Sequence, residues 1–309
     1  MKKRIWKKVA ITAVTALAAL SLYGCGSKES TATTEAAAEA EVTTEAATEA
    51  ATEAAEVTTV KVGVVGEYNA QWDTVNTLLE KDNIKVELIK FTDYAAPNRA
   101  LNDGDIDLNA FQHKAFLAND VAKMGYKIET IGDTIIAPLS IYNNKDKITS
   151  IEDIKDGDII AIPSDLTNGG RALKLLEKAG LIVCDPAKGY TPSKADVTTY
   201  NKKIDIKEAE SATLANLLPD CAAAIINGGN AFTAGLDPIK DTIYTENIDP
   251  KTNEAVPQLI NVIVARSADK DNEVYKKVVA AYQSKEAQKT IEEAYHGAFI
   301  CAWEGAETK

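Results

Sequence analysis

The sequence is 309 residues long and acidic, with a formal net charge of -12 and a pI near 4.8. This length predicts about two folding units, each with a core of its own. The acidic balance argues against a nucleic-acid partner, because such a partner requires a basic face.

The N-terminus has the organisation of an export signal. A basic start is followed by an apolar run from Val9 to Leu22, too short to span a membrane comfortably. Leu22-Tyr23-Gly24-Cys25 then resembles the lipobox of bacterial lipoproteins, which predicts a signal peptide over residues 1–24 and a lipidated Cys25. The alternative is an ordinary cleaved signal with an incidental cysteine. Acyl chains on Cys25 would anchor the protein to a membrane, because each buried CH₂ contributes about 0.8 kcal/mol.

Residues 25–58 are built almost wholly from Thr, Ala and Glu. They lack the apolar content needed to order a chain, so the sequence predicts a disordered tether. Its simplest role is a solvated spacer, and a protein-binding tail is the alternative.

From Val60 onward, apolar strands alternate with amphipathic helices, which predicts an α/β fold with a largely parallel sheet. Ile135 to Tyr142 reads as one strand, and a fresh set of units begins after it. We therefore expect a second lobe to start near residue 140.

Polar and aromatic residues collect where predicted strands end. Gln112-His113 lies where a short strand meets a helix predicted over Lys114 to Met124, and Tyr94 follows the preceding strand. Ligands of open α/β sheets bind at that end of the strands. A small-molecule pocket is therefore expected here, although a lone His between Gln and Lys is usually a surface residue.

Thr167-Asn168-Gly169-Gly170-Arg171 opens a later predicted helix. Free backbone N–H groups and a guanidinium at one place are typical of a carboxylate site. A helix capped by Asn168 with a surface arginine is an equally good interpretation of the residues alone. Asn227 in Asn227-Gly228-Gly229-Asn230 also ends a strand, where a glycine turn is the alternative.

These motifs together resemble the NlpA family, the methionine-binding lipoproteins of ABC transporters. The resemblance covers nearly all of the chain after about residue 58 and rests on these segments, with x for any residue: Tyr94-x-x-Pro97-Asn98-x-Ala100-Leu101, Gly104-Asp105-Ile106-Asp107-x-Asn109-Ala110-Phe111-Gln112-His113-Lys114, Asn168-x-Gly170-Arg171, Ala224-x-Ile226-Asn227 and Asn261-x-Ile263-Val264-x-Arg266.

The resemblance implies a two-lobed fold like that of periplasmic binding proteins, with the ligand in a cleft between lobes joined by two crossings. It assigns residues 59–139 and 246–309 to lobe 1 and residues 140–245 to lobe 2. It also implies that Arg171 and Asn168 lie at the ligand carboxylate and that Asn227 and Asn261 bind the polar end of an amino acid. For Asn261, a structural role in satisfying the backbone is the alternative. The expected walls around the ligand side chain are Tyr94, Phe111, His113 and Tyr142.

The chain departs from the family at Asn230, where many relatives carry an aromatic residue, which puts the shape of the side-chain pocket in question. Trp72 is expected in the core or over the pocket as a lid. Cys184, Cys221 and Cys301 share no metal spacing and are expected to be small buried hydrophobes.

The predicted function is a monomeric, lipid-anchored, extracytoplasmic binding protein that delivers L-methionine, or a close amino acid, to the permease and ATPase subunits of an ABC importer. The alternatives are a receptor for another small carboxylate, such as a different apolar amino acid or a methionyl dipeptide, and a surface-displayed interaction lipoprotein. Serine-hydrolase, phosphate-loop and zinc-peptidase motifs do not occur in the sequence. We therefore expect no enzyme, no cofactor and no metal site.

Overall fold

The computed structural model of the chain describes residues 56–67 and 69–306. The predictions for the signal peptide, for Cys25 and for the linker up to residue 55 lie outside the described residues. Within the described ranges, no helix is both long and apolar enough to cross a membrane.

The first of two five-stranded sheets is built from the two ends of the described chain. Its strand order is β2-β1-β3-β13-β4. Alternation of apolar and polar residues along β1 buries Val60, Val62 and Val64, as expected for a strand with one face on a core. The strands are β1 (Thr58–Val65), β2 (Ile84–Phe91), β3 (Leu108–His113), β4 (Ile128–Asp133) and β13 (Asn261–Arg266).

The second sheet is formed by the middle of the chain, in the order β10-β7-β11-β6-β12. Its central strands carry continuous apolar runs, because helices cover both faces. The strands are β6 (Leu139–Asn143), β7 (Ile159–Pro163), β10 (Asp205–Ala209), β11 (Ala223–Asn227) and β12 (Thr242–Thr245). Two short pairs complete the strands: β5 (Ile135–Ile136) with β14 (Ile300–Cys301), and β8 (Ile182–Cys184) with β9 (Val197–Tyr200).

In each sheet four of the five strands run in the same direction, as expected for a largely parallel sheet, and one strand runs against them. In the first sheet β13 runs antiparallel to both β3 and β4, and in the second β6 runs antiparallel to β11 and β12. The reason is topological, because β6 and β13 each follow a passage of the chain from one sheet to the other. The segment predicted as one strand over Ile135 to Tyr142 forms two strands, β5 and β6. They are interrupted at Pro138, whose nitrogen cannot donate a hydrogen bond to a neighbouring strand.

Nine α-helices cover the two sheets within the described residues. The helix predicted over Lys114 to Met124 is confirmed with those bounds. The helices are α1 (Gln71–Leu79), α2 (Ala96–Asp103), α3 (Lys114–Met124), α4 (Leu166–Lys178), α5 (Leu214–Leu217), α6 (Gly228–Thr233), α7 (Val256–Leu259), α8 (Glu273–Tyr282) and α9 (Lys285–Ala294).

Each sheet has its own hydrophobic core. Trp72 is 1% exposed and packs edge-on against Tyr282 with ring centroids 5.2 Å apart, so it is a core residue of the first lobe and not a lid. In the second lobe, Leu173 and Leu176 of α4 pack on Ile160 and Ile162 of β7. The two-lobed α/β fold is thereby confirmed, with the chain passing between the sheets before β6 and again after β12.

Candidate functional site

A cavity of about 100 Å³ lies between the two lobes. Because about 10–15 Å³ of such volume suffices for one water, the cavity has room for several small groups of a compact ligand. The lining comes from both lobes and is mostly polar or aromatic. It consists of Val65, Asn69, Gln71, Tyr94, Ala110, Phe111, Gln112, His113, Phe116, Thr134, Ile135, Ala137, Asn168, Arg171, Asn227, Gly228, Gly229, Asn230, Asn261, Tyr282, Tyr295 and Phe299.

Arg171 reaches the cavity from the first turns of α4. That helix begins at Leu166 and is capped by Asp165, whose carboxylate accepts from the Asn168 amide at 2.9 Å; the interpretation of Asn168 as the cap is therefore wrong. At Gly169 a Cβ would lie 2.8 Å from the Pro163 carbonyl oxygen, so only a glycine lets the helix start sit this close to β7. The sequence thus folds α4 tightly against the strand end and brings Arg171 to the cleft.

The Arg171 guanidinium is 5% exposed and partly neutralised by the protein itself. Its Nε donates to Glu246 Oε1 at 3.1 Å and its Nη2 donates to Glu246 Oε2. Nη2 also donates to the Ala137 carbonyl at 3.3 Å. Among the described residues Nη1 has no hydrogen-bond partner, so Arg171 retains a donor edge for a ligand carboxylate.

A hydrogen-bonded chain of polar side chains crosses the cleft. His113, which ends β3 in the first lobe, lies with Nε2 3.3 Å from Asn168 Oδ1 in the second lobe. Asn227 Nδ2 donates to the same oxygen at 2.8 Å. Asn168 is held in this orientation because its Nδ2 donates to both carboxylate oxygens of Asp165 at 3.1 Å.

His113 is a neutral imidazole with a defined tautomer. Its Nδ1 accepts from the Phe116 amide at 3.1 Å as the N-cap of α3, so its proton sits on Nε2 and is donated to Asn168. Burial, reinforced by the Arg171 charge, lowers the pKa of His113 to about 3. His113 is therefore an interior hydrogen-bonding residue and not a surface histidine.

Asn227 carries an acceptor that the protein does not use. Its Oδ1 atom is buried without a hydrogen-bond partner among the described residues. A buried acceptor left unpaired costs about 1–3 kcal/mol, so a ligand donor at this point would remove that cost. An ammonium group meets the requirement, because it has donors only and carries positive charge.

An aromatic cluster forms one wall of the cavity, next to the C-terminal ends of β2 and β3. Tyr94 lies 5.9 Å from Phe111 and 6.0 Å from Phe116, measured between ring centroids. Phe111 and Phe116 are themselves 6.0 Å apart and perpendicular. Across the cleft, Asn230 Nδ2 donates to the Tyr94 hydroxyl at 3.1 Å. The wall is thus apolar on the first lobe and polar on the second.

Sequence reasoning missed several lining residues. Phe116 is one of them, although its position three residues after His113 on a predicted helix places both on the same face. Gln71 and Tyr295 are others: Tyr295 donates to Gln71 Oε1 at 2.9 Å, and the two residues are 224 positions apart in sequence. Only the packing of α9 on α1 brings that pair together, so no local pattern could reveal it.

Seven of the eight predicted ligand-binding residues line this one cavity: Tyr94, Phe111, His113, Asn168, Arg171, Asn227 and Asn261. Asn261 Nδ2 also donates to the Ile135 carbonyl at 3.2 Å, so it satisfies the backbone as well. Tyr142 does not line the cavity and is fully buried with Leu214 and Ile226 in the second lobe. It points there because side chains alternate along β6, and its position faces α5.

No metal or reactive centre stands out in the described part of the chain. No group of three or more His, Cys, Asp or Glu side chains there could hold a metal ion. Cys184, Cys221 and Cys301 are free and buried, which confirms their interpretation as small hydrophobes. Burial raises the pKa of the Cys301 thiol to about 12, which makes it unreactive.

Comparison with known proteins places the chain in one family. The family model described as NlpA lipoprotein matches residues 60–303. Outer membrane lipoprotein 3 of Mannheimia haemolytica is 41% identical over 79% of this chain and 90% of its own length. The D-methionine-binding lipoprotein MetQ of Salmonella typhimurium is 39% identical over 79% of this chain and 88% of its own.

One solved structure is similar to this chain in both fold and sequence. The nutrient binding protein from Burkholderia cenocepacia bound to methionine superposes with a TM-score of 0.73 at 36% identity. The match covers 79% of this chain and all of that one.

Proposed function

Because the chain belongs to the NlpA lipoprotein family, we propose that it is a lipid-anchored, extracytoplasmic substrate-binding protein of an ABC importer. Its ligand is L-methionine or a close amino acid, held in the cleft between the lobes and delivered to the permease. The solved methionine-bound relative and the relatives named for methionine binding support this ligand. The role is binding, with no covalent chemistry.

One observation carries the proposal: Arg171, with a donor edge not used by the protein, and Asn227, with an unpaired Oδ1, line the same cavity between the lobes. A carboxylate suits the first and an ammonium the second, which together describe the zwitterion of an α-amino acid. Because Glu246 already balances Arg171, a ligand without net charge is favoured over a lone acid or a lone amine. The aromatic wall then suits a thioether, which packs well against ring edges.

The lobe boundaries and the membrane anchor in this proposal are those predicted from the sequence. Residues 59–139 and 246–309 form lobe 1 and residues 140–245 form lobe 2, with hinge closure over the ligand. Acylated Cys25 and the linker to residue 58 tether the domain to the membrane. The permease and ATPase subunits are the partners, and the binding protein acts as a monomer.

Thermal unfolding of the purified protein tests the ligand. The protein is first stripped of endogenous ligand by unfolding and refolding, and then measured against L- and D-amino acids and methionyl dipeptides. A ligand at a hundredfold excess over its dissociation constant adds about 2.7 kcal/mol to the free energy of unfolding. We expect methionine to raise the unfolding temperature. A larger shift with a dipeptide would reassign the ligand, and no shift with any compound would contradict the proposal.

A further inference from the structure

A second polar pair bridges the cavity, apart from the groups that suit the zwitterion. Tyr94 follows β2 in the first lobe, and Asn230 lies on α6 in the second. Asn230 is 8% exposed, and its Nδ2 donates to the Tyr94 hydroxyl at 3.1 Å. Both residues line the cavity, so a bound ligand lies beside them.

The position of this pair relates it to the ligand side chain. Asn230 lies on α6 three residues after Asn227, the N-cap of that helix, and both residues line the cavity. Tyr94 belongs to the aromatic cluster with Phe111 and Phe116, which is the part of the lining that suits the outer side-chain atoms of a ligand whose ammonium meets Asn227. The pair is at the side-chain end of the site.

The pair keeps hydrogen-bonding capacity after its own bond is made. With Asn230 donating, the Tyr94 hydroxyl still has its proton to give and Asn230 Oδ1 still accepts. If the amide is turned over, Tyr94 donates to Oδ1 and Nδ2 is the free donor, while a lone pair of the Tyr94 oxygen is the free acceptor. In both arrangements the pair keeps one donor and one acceptor that its own bond does not use.

The surroundings select an uncharged partner for the pair. Arg171 is the one charged residue lining the cavity in the described ranges, and Glu246 already pairs with it. Burial, then the charge of Asp165, raises the pKa of Tyr94, so its hydroxyl stays protonated. Asp165 and Arg171 both act on Tyr94, so a desolvated carboxylate at this end would be repelled by Asp165 and a desolvated cation by Arg171, which is costly.

Building on the proposed function, we propose that Tyr94 and Asn230 determine specificity by reading an uncharged amide on the ligand side chain. A carboxamide supplies one acceptor and one donor in a plane, which matches the two free positions of the pair. Glutamine has this group at the length of a methionine side chain. Because Tyr94 and Asn230 satisfy each other when no polar partner is present, the same pocket also admits methionine.

The test is calorimetric titration of the purified protein with L-glutamine, L-methionine and L-glutamate. We expect glutamine to bind within about tenfold of methionine and glutamate to bind far more weakly. Asn230→Leu, of similar size, should raise the Kd for glutamine about tenfold or more and that for methionine less than about threefold. Tyr94→Phe, which removes one oxygen, should also raise the ratio of the glutamine Kd to the methionine Kd. Tyr244→Phe is the control, because the Tyr244 hydroxyl donates to the Lys178 carbonyl outside the cavity.

The ratio of the glutamine Kd to the methionine Kd shows whether Tyr94 and Asn230 determine specificity or only hold the two lobes together. Loss of a bridge would weaken both ligands equally, so an unchanged ratio in Asn230→Leu and Tyr94→Phe overturns the inference. Binding of methionine without glutamine also overturns it and leaves the proposed function standing. Binding of neither amino acid overturns both.

Discussion

His113 shows how one buried residue couples the site to pH. Its pKa is about 3 in the folded protein and near 6.5 when the chain is unfolded, because burial and Arg171 disfavour the charged form. Between these values the unfolded state binds the extra proton, so stability rises with pH across this window and this contribution is constant above pH 6.5.

The consequence is measurable in acid. From pH 6 down to pH 4, we expect His113 to remove about 1 kcal/mol of stability per pH unit. His113→Gln should unfold with a smaller dependence on pH over this interval in urea titrations. An identical slope in the variant would contradict the assignment of His113 as a buried neutral imidazole.

Arg171 is predicted both to bind the ligand carboxylate and to stabilise the folded protein. Arg171→Ala removes the carboxylate donor and leaves Glu246 partly buried without its partner. We expect a loss of about 3 kcal/mol in the free energy of unfolding and a rise in the methionine Kd of at least about 100-fold. Both values come from urea unfolding and calorimetry at neutral pH.

Arg266, a half-buried arginine, provides the control. Arg266 donates to Asp269 and to the carbonyls of Leu101 and Ile106, away from the cavity. Arg266→Ala should lower stability while the methionine Kd stays within about threefold of wild type. Equal losses of affinity in both variants would mean that Arg171 acts only through stability.

At the scale of elements, α6 connects the ligand site to the packing between lobes. Its first residue, Gly228, has no room for a side chain: a Cβ would lie 2.6 Å from Phe299 Cε1 and 3.3 Å from the Pro138 carbonyl oxygen. At the next residue, Gly229, nothing lies within 4 Å of such a Cβ. Two adjacent glycines therefore have different roles, which a sequence cannot distinguish.

Paired substitutions test this difference. Gly228→Ala should lower the free energy of unfolding by about 1–3 kcal/mol, because either Phe299 or the start of α6 has to move. Gly229→Ala should be neutral or stabilising by up to about 1 kcal/mol, since alanine favours a helix. Thermal unfolding without ligand gives both values. Equal destabilisation by the two substitutions would contradict the close contact at Gly228.

Local patterns also explain which elements could be predicted from the sequence. The bounds of α3 follow from the helical spacing of its apolar residues and from the left-handed Gly125 after its last residue, whereas the cap by His113 is not one that the sequence indicates. The antiparallel direction of β13 could not be predicted, because it depends on where the returning chain enters the sheet. Tyr142 was misplaced for a similar reason: no residue of β6 lines the cavity, and the direction of the β6 side chains depends on the register of that strand with β11.

At the scale of the whole molecule, the site exists only because two lobes meet. His113 with Asn168 and Tyr94 with Asn230 join residues that are 55 and 136 positions apart. Seven of the eight residues predicted to bind the ligand line the cavity; some of them were suggested by their place at a strand end, where parallel sheets bind ligands, and the others by the resemblance to the NlpA family. It could not identify Gln71 or Tyr282, whose contribution depends on helix packing across 211 positions.

The central claim is that the cleft recognises both charged groups of an amino acid. The most direct test is calorimetry of the ligand-free protein with L-methionine and two analogues, one without the amino group and one without the carboxylate. We predict that each analogue binds at least about 30-fold more weakly than methionine, because each leaves Asn227 or Arg171 without its charged partner. Equal binding by either analogue would contradict the account.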